Sequence, residues 1–336
     1  PMTRAAIAKK TGISRPTISE SAQRLEKSGL VVETSRKTKN KQGRAGVIYE
    51  INAAKGLTLA IAIDVKQIQL RLTDLSLKVI RDQCFYIDPA WQQAELAEAI
   101  LRFIRLAVQD QSSPLLAIGI SVAVPVNSQT GEILALPYSK FSIIHGINFK
   151  ALLEEHFACP VTLDNDVNWA TLAEKSLGIA KNVSDFVFIY FGEGIGAGIY
   201  LDNHLIRGST GISGEIGHIM VNNKENLQDF VSNHHLQQAL EEGVDLSGHP
   251  AISQIGTTLA TIAAVINPKM FVLGGPMTKY PQFIPAIIKQ IQPQLFNKVS
   301  FIPSNAPNYA PLNGVQAGTY ELALSSFGLP SPPEAE

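Results

Sequence analysis

Cysteine is nearly absent from this chain: Cys84 and Cys159 are the two thiols among 336 residues, and no Cys-x-x-Cys spacing occurs. That excludes a disulfide framework and makes a reducing cytoplasm the simplest compartment. No apolar run reaches the roughly 18 residues that a membrane span needs, and no signal peptide opens the sequence, so no membrane partner is expected. Net charge is nearly absent too, at −1, but this balance conceals an asymmetry. Residues 1–50 carry +7 and the remainder −8. A phosphate-binding role therefore belongs to the N-terminal module alone. What is abundant is apolar residues, at 45%, enough for two or three packed domains.

The basic module has an ordered pattern. Thr3 to Lys10 reads as a short helix, and Gly12 is free to take the positive φ that a tight turn between helices requires. Ser14 then caps a second helix, with Arg15 and Pro16 in its first turn and Ile18, Ala22 and Leu25 as its buried stripe. Arg15, Thr17, Ser19 and Gln23 are left pointing outward. The N-terminal part of a recognition helix meets base edges, so this helix, Pro16 included, is the expected reader of DNA. Val31–Thr34 and Val47–Asn52 read as two strands joined by a basic loop containing Arg36, Lys37, Lys39, Lys41 and Arg44. Such a loop is a wing able to touch phosphate or the minor groove. The chain opens at Pro1, almost inside this pattern, so a further helix is expected upstream.

Beyond Ala53 the periodicity changes. Leu57–Ile63, Ile68–Thr73 and Val79–Ile87 read as strands, Trp91–Val108 as a helix, and Leu115–Val124 as a buried strand. A second run of similar type has strands near Phe186–Phe191, Gly196–Leu201 and Met270–Leu273 and a helix over Ile252–Ile266. Two such successive units predict an α/β body of two related lobes with a cleft between them.

Four segments give that cleft its character: Leu163-Asp164-Asn165-Asp166-Val167-Asn168, the glycine-rich Phe191–Gly198, Gly214-Glu215-Ile216-Gly217-His218, and Asn267–Gly275. Their order resembles the ROK family of repressors, open reading frames and sugar kinases. The N-terminal module resembles the DNA-binding half of ROK repressors, down to Gln42-Gly43-Arg44 in the wing. The resemblance implies a winged helix-turn-helix over residues 1–54, followed by a two-lobed, actin-like, hexokinase-type (ribonuclease H-like) domain. Its first lobe is expected at 55–165 plus 310–328 and its second at 166–309. It also implies that Asn165, Asp166, Glu215 and His218 contact a sugar, with Gln237 standing where the family carries a further glutamate. Sugar hydroxyls both donate and accept, so carboxylates, amides and imidazole converging on one pocket suit them. Taken singly, Asp166 is better explained as a helix cap and His218 as a satisfied core histidine; the sugar-contacting reading belongs to the set in this order.

Two departures matter. Kinase members open the first lobe with Asp-x-Gly-Gly-Thr, whose glycines admit the phosphates of ATP, whereas this chain has Asp64-Val65-Lys66-Gln67. No catalysis is expected. The family's zinc site joins a histidine to three cysteines, and the corresponding stretch Gln228–His235 has none, so no cofactor is expected either. The implied protein is a sugar-responsive repressor of carbohydrate genes. Its partners would be operator DNA and a sugar or sugar phosphate, and it would act as a homodimer or homotetramer. The alternatives are a sugar kinase with a basic arm, or a repressor controlled by a protein partner.

Overall fold

The computed structural model describes residues 1–34, 47–134, 142–305 and 310–328. The N-terminal module comprises β1 (Met2–Thr3), α1 (Arg4–Thr11), α2 (Arg15–Lys27), β2 (Val31–Thr34) and β3 (Ile48–Ile51). Its antiparallel sheet has the order β1-β3-β2. The Thr3 hydroxyl accepts from Ala6 N at 3.2 Å and starts α1, which ends at Gly12 with φ 74°. Ser14 Oγ accepts from Thr17 N at 3.4 Å and caps α2, with Pro16 in the first turn. Ile18 and Ala22 are buried, so the apolar stripe faces inward as its spacing requires.

The body is one supersecondary pattern used twice. The first repeat runs β4 (Leu57–Ile63), β5 (Gln67–Asp74), β6 (Val79–Tyr86), α3 (Gln93–Val108), β7 (Leu115–Val122), a small hairpin of β8 (Val126–Asn127) and β9 (Glu132–Ile133), α4 (Phe149–Phe157), β10 (Val161–Asn165) and α5 (Asp166–Ser176). The second runs β11 (Phe186–Phe191), β12 (Ile195–Leu201), β13 (His204–Ile206), α6 (Leu227–Asn233), α7 (Leu236–Glu241), α8 (Pro250–Ile266), β14 (Met270–Gly274), α9 (Phe283–Ile291), β15 (Ser300–Pro303) and α10 (Ala310–Ser325). The sheet orders are β10-β7-β4-β5-β6 and β15-β14-β11-β12-β13. In each, a three-stranded antiparallel meander is extended by two parallel strands reached through helices.

Each sheet buries its own apolar face. Leu59, Ile61, Ile118 and Ile120 pack with Leu96, Ile100 and Ile104 of α3 in one core. Val187, Ile189, Phe271 and Leu273 pack with Ile255 and Leu259 of α8 and Ile287 of α9 in the other. Between the sheets lie α5 and α10. Trp169 of α5 joins Ala60, Leu312 and Val315 and donates its indole N–H to Ile120 O at 2.8 Å, while Ala170 packs with Phe186 and Phe188 on the opposite sheet. The helices approach closely because Gly314 and Gly318 face Trp169; a Cβ at Gly314 would lie 1.8 Å from the Trp169 carbonyl oxygen. A last apolar cluster joins Leu25 and Leu30 of the N-terminal module to Leu75, Leu116, Ala117 and the end of α10.

Candidate functional site

The carboxyl ends of β10 and β4 and the turn between β11 and β12 open onto one cavity of about 530 Å³. Ligands bind at such strand ends in open α/β sheets because loops there are free of the packing that fixes the core. Asn165 is the N-cap of α5 and accepts from Val167 N at 2.8 Å; Asp166, the first helical residue, accepts from the same amide. Those local contacts orient the pair, and both side chains line the cavity.

Glu215 and His218 arrive from the other repeat. Gly214 has φ 93°, and a Cβ there would meet Ala197 O at 1.9 Å, so glycine lets the segment turn tightly over β12. The single 3₁₀ turn Ile216–His218 follows and places His218 Nε2 4.0 Å from Glu215 Oε2. Beneath them, Arg207 Nε donates to Asp164 Oδ2 at 2.6 Å, and the buried Asp164 also accepts from Asn165 N and Asn168 Nδ2. This ion pair links the end of β10 in the first repeat to the residue after β13 in the second.

Charge is crowded here. Asp64, Asp166, Glu193 and Glu215 line the cavity, with Lys66 its one lysine among the described residues. Burial pushes the Asp166 carboxyl up to about 6, with Asp64 adding to the rise, and pushes Glu215 up to about 7, with Asp166 adding. Burial also raises the Tyr190 phenol to about 12, so its hydroxyl remains a donor at neutral pH.

Of the five residues expected to contact a sugar, four meet in this cavity. The fifth, Gln237, does not: it is exposed on α7, where its amide donates to Glu241 at 2.6 Å and to the Tyr280 hydroxyl at 3.4 Å. Gln228 stands in the cavity instead, its Oε1 accepting from Ile195 N at 3.3 Å. The reason is a short connection. Met220 and Asn226 form a β-bridge around a tight turn, which brings the first turn of α6 back over His218. The stretch Asn226-Leu227-Gln228-Asp229, an Asx cap followed by an amide in the first turn, was the signal available for this in the sequence.

The turn after β4 is closed on itself. Asp64 Oδ1 accepts from Lys66 N at 2.7 Å and from Gln67 N at 2.9 Å, so the amides that would face a phosphate are taken by the chain's own carboxylate. Among the described residues, no three of the His, Cys, Asp and Glu side chains form a group able to hold a metal ion. Nor, among them, is any helix long and apolar enough to cross a membrane.

On the N-terminal module, Arg15, Pro16, Thr17 and Gln23 of α2 are exposed and Ser19 is half-buried. The Thr17 hydroxyl is shared with the Ser14 cap at 2.8 Å. The wing residues Arg36, Lys37, Lys39, Lys41 and Arg44 lie outside the described residues, as do Leu136–Phe141.

A family model described as the ROK family matches residues 58–231, and a winged helix-turn-helix DNA-binding model matches residues 1–32. The chain belongs to the ROK family. It is 28% identical to a xylose repressor of Bacillus spizizenii over 96% of this chain and 92% of the relative. Its fold resembles the crystal structure of a ROK family transcriptional regulator described as a homologue of the Escherichia coli MLC protein. There the TM-score is 0.74 at 21% identity, over 97% of this chain and 94% of that one. A ROK hexokinase from Thermus thermophilus shares the body, with a TM-score of 0.66 at 20% identity over 80% of this chain and 99% of that one. The architecture is thus a winged helix-turn-helix ahead of a duplicated, hexokinase-type α/β domain.

Proposed function

We propose that this ROK protein is a sugar-responsive transcriptional repressor of carbohydrate genes, in which a sugar in the cleft alters operator affinity. The carrying observation is the convergence of Asn165, Asp166, Glu215, His218 and Gln228 on one cavity, in a chain whose N-terminal helix presents Arg15 and Gln23 to solvent. Likeness to a xylose repressor over nearly the whole chain supports this and makes D-xylose the first effector to try. The surplus of carboxylates favours a neutral sugar over a sugar phosphate, since a phosphate would face Asp64, Asp166, Glu193 and Glu215 in one cavity.

Phosphoryl transfer is disfavoured by the turn after β4, whose amides are occupied by Asp64. The carboxylate of Asp166 therefore serves as an acceptor for a ligand hydroxyl, not as a base in a kinase reaction.

Signal passes between sites through α5 and α10. Asp166 begins α5; α10 packs along α5, and after about 24 Å its end reaches the cluster holding Leu25 and Leu30. Phe327 lies there with the Lys55 ammonium 5.8 Å above its ring. A shift of α5 on ligand binding thus changes the seat of the DNA-reading module. A two-fold operator bound by a homodimer or homotetramer in the cytoplasm would register such a change as altered half-site spacing.

The test is a titration of D-xylose, D-glucose and N-acetylglucosamine against operator binding, with DNA selected by the protein from a random pool. Wild type should release DNA with one of these sugars. Arg15→Ala should lose about 1–3 kcal/mol of preference for selected over random DNA. Asp166→Asn should keep DNA binding but need roughly 10–100-fold more sugar for release, the value of one charge-assisted hydrogen bond. Identical release curves for wild type and Asp166→Asn would make the cleft residues scaffold.

A further inference from the structure

A second cavity, of about 680 Å³, adjoins the cleft and shares the walls Asp64, Ala123, Asp166, Val167, Tyr190 and Pro276 with it. Tyr190 carries the largest of these side chains, and the sheet gives it room. Near the end of β11 it pairs with Gly196 of β12 on one side and Gly274 of β14 on the other, so its row of the sheet holds no other side chain. Two residues further on stands Gly192. A Cβ there would lie 2.6 Å from Tyr190 Cε1 and 2.7 Å from the phenol oxygen. The ring therefore leans along the strand and lies over the β11–β12 turn, in space that three glycines leave clear.

A glycine-rich turn admits close approach to its backbone, and its amides suit an anion. Here the chain's own phenol makes that approach. Both hairpin turns that face the cleft are thus occupied from within, one by the Asp64 carboxylate and the other by Tyr190. The same placement bears on a neutral ligand. A sugar hydroxyl that donates to the Asp166 carboxylate still has lone pairs to satisfy. The Tyr190 phenol lines the same boundary between the cavities, and burial, with the charges of Asp166, Glu193 and Asp64, keeps it protonated. It supplies a donor without adding a charge.

We infer that Tyr190 determines specificity in the cleft: its hydroxyl donates to the sugar hydroxyl facing the second cavity, and its ring ends the ligand there, excluding sugars substituted on that oxygen. This rests on the sugar-binding reading of the cleft. Titration calorimetry on the full chain with D-xylose, D-glucose and N-acetylglucosamine first finds the sugar that binds. That sugar is then compared with its monodeoxy and mono-O-methyl derivatives. Tyr190→Phe should bind the parent sugar about 5–10-fold more weakly. At one position, removing the sugar hydroxyl should then cost this variant less than it costs wild type, by the same factor. Wild type should reject the methyl ether at that position, and Tyr190→Ala should bind it at least as tightly as the unmodified sugar.

Unchanged affinity in Tyr190→Phe, or a loss that adds independently at every position, takes the phenol away from the ligand and overturns the proposal while the sugar reading stands. So does tight binding of that methyl ether by wild type, or its rejection by folded Tyr190→Ala. If Tyr190→Ala does not fold, the phenylalanine variant and the wild-type ethers decide the matter. If none of the three sugars binds, the sugar reading of the cleft fails and takes this proposal with it.

Discussion

The two five-stranded sheets have the same strand order and differ in what is attached to them. At equivalent hairpins, the β4–β5 turn is held by the Asp64 side chain, whereas the β11–β12 turn keeps glycines and closes through a Gly192 N–H to Gly194 carbonyl bond of 3.0 Å. After its meander the second repeat carries the segment with Glu215, His218 and Gln228. The first repeat instead seats the DNA-reading module: the cluster holding Leu25 and Leu30 draws on Leu75, Leu116 and α10, and among the described residues on nothing from β11 to β15. Duplication thus supplies a rigid frame in which both repeats contribute residues to the cleft, while the DNA-reading module is seated on the first sheet and α10. A ligand contact on the second repeat reaches DNA only through the helices between them.

The severest way to break that division is to separate the repeats. Gly314→Val would force a side chain into the Trp169 carbonyl and drive α10 off α5. Overpacking of this kind costs about 1–3 kcal/mol, so thermal unfolding should fall by roughly 2–12 °C. An unchanged midpoint would mean that the repeats do not depend on this helix pair.

A smaller effect sharpens the contrast between the carboxylates on the two sides of the cleft. Folded Glu215 holds its proton up to about pH 7, whereas the unfolded chain releases it near the ordinary glutamate value. Stability from this group is therefore complete in acid and is lost as pH rises through 7, by about 2 kcal/mol once solvent screening is allowed for. Asp166 acts with the same sign, losing its contribution as pH rises through about 6. Without ligand, the melting temperature should fall from pH 5 to pH 8. Glu215→Gln should flatten the upper part of the curve and Asp166→Asn the lower part. Parallel curves for all three proteins would show that neither carboxylate is burdened by its site.

The smallest expected effect concerns coupling alone. Phe327→Ala removes a ring from the cluster under the DNA-reading module without touching the cleft. Sugar affinity measured without DNA should be unchanged, and the ligand-induced change in operator affinity should shrink by about 0.5–2 kcal/mol. If sugar affinity falls as well, α10 is part of the ligand site and not only a connection.

Much of this protein was legible locally. The Ser14 cap, Pro16 and the stripe of Ile18 and Ala22 specify α2 through contacts within a few residues. Strands such as β4, β7 and β11 announce themselves as apolar runs because both of their faces are covered. The order of four motifs was enough to bring Asn165, Asp166, Glu215 and His218 together, since each motif carries its own turn. β13, three residues long, and the 3₁₀ turn at Ile216 offered no periodicity to detect.

What the sequence by itself determined was therefore the class of each segment and the family to which their order belongs. Tertiary structure alone decided which amide enters the cleft, because the tight turn after His218 selects Gln228 over Gln237 across a distance that no local pattern measures. It alone showed that Asp64 consumes the amides of its own loop. It alone set Gln69 and Ser121, two polar residues 52 positions apart, in one row facing one cavity. Caps and periodicity depend on neighbours along the chain. Ligand chemistry depends on neighbours in space, and only the packed fold names those.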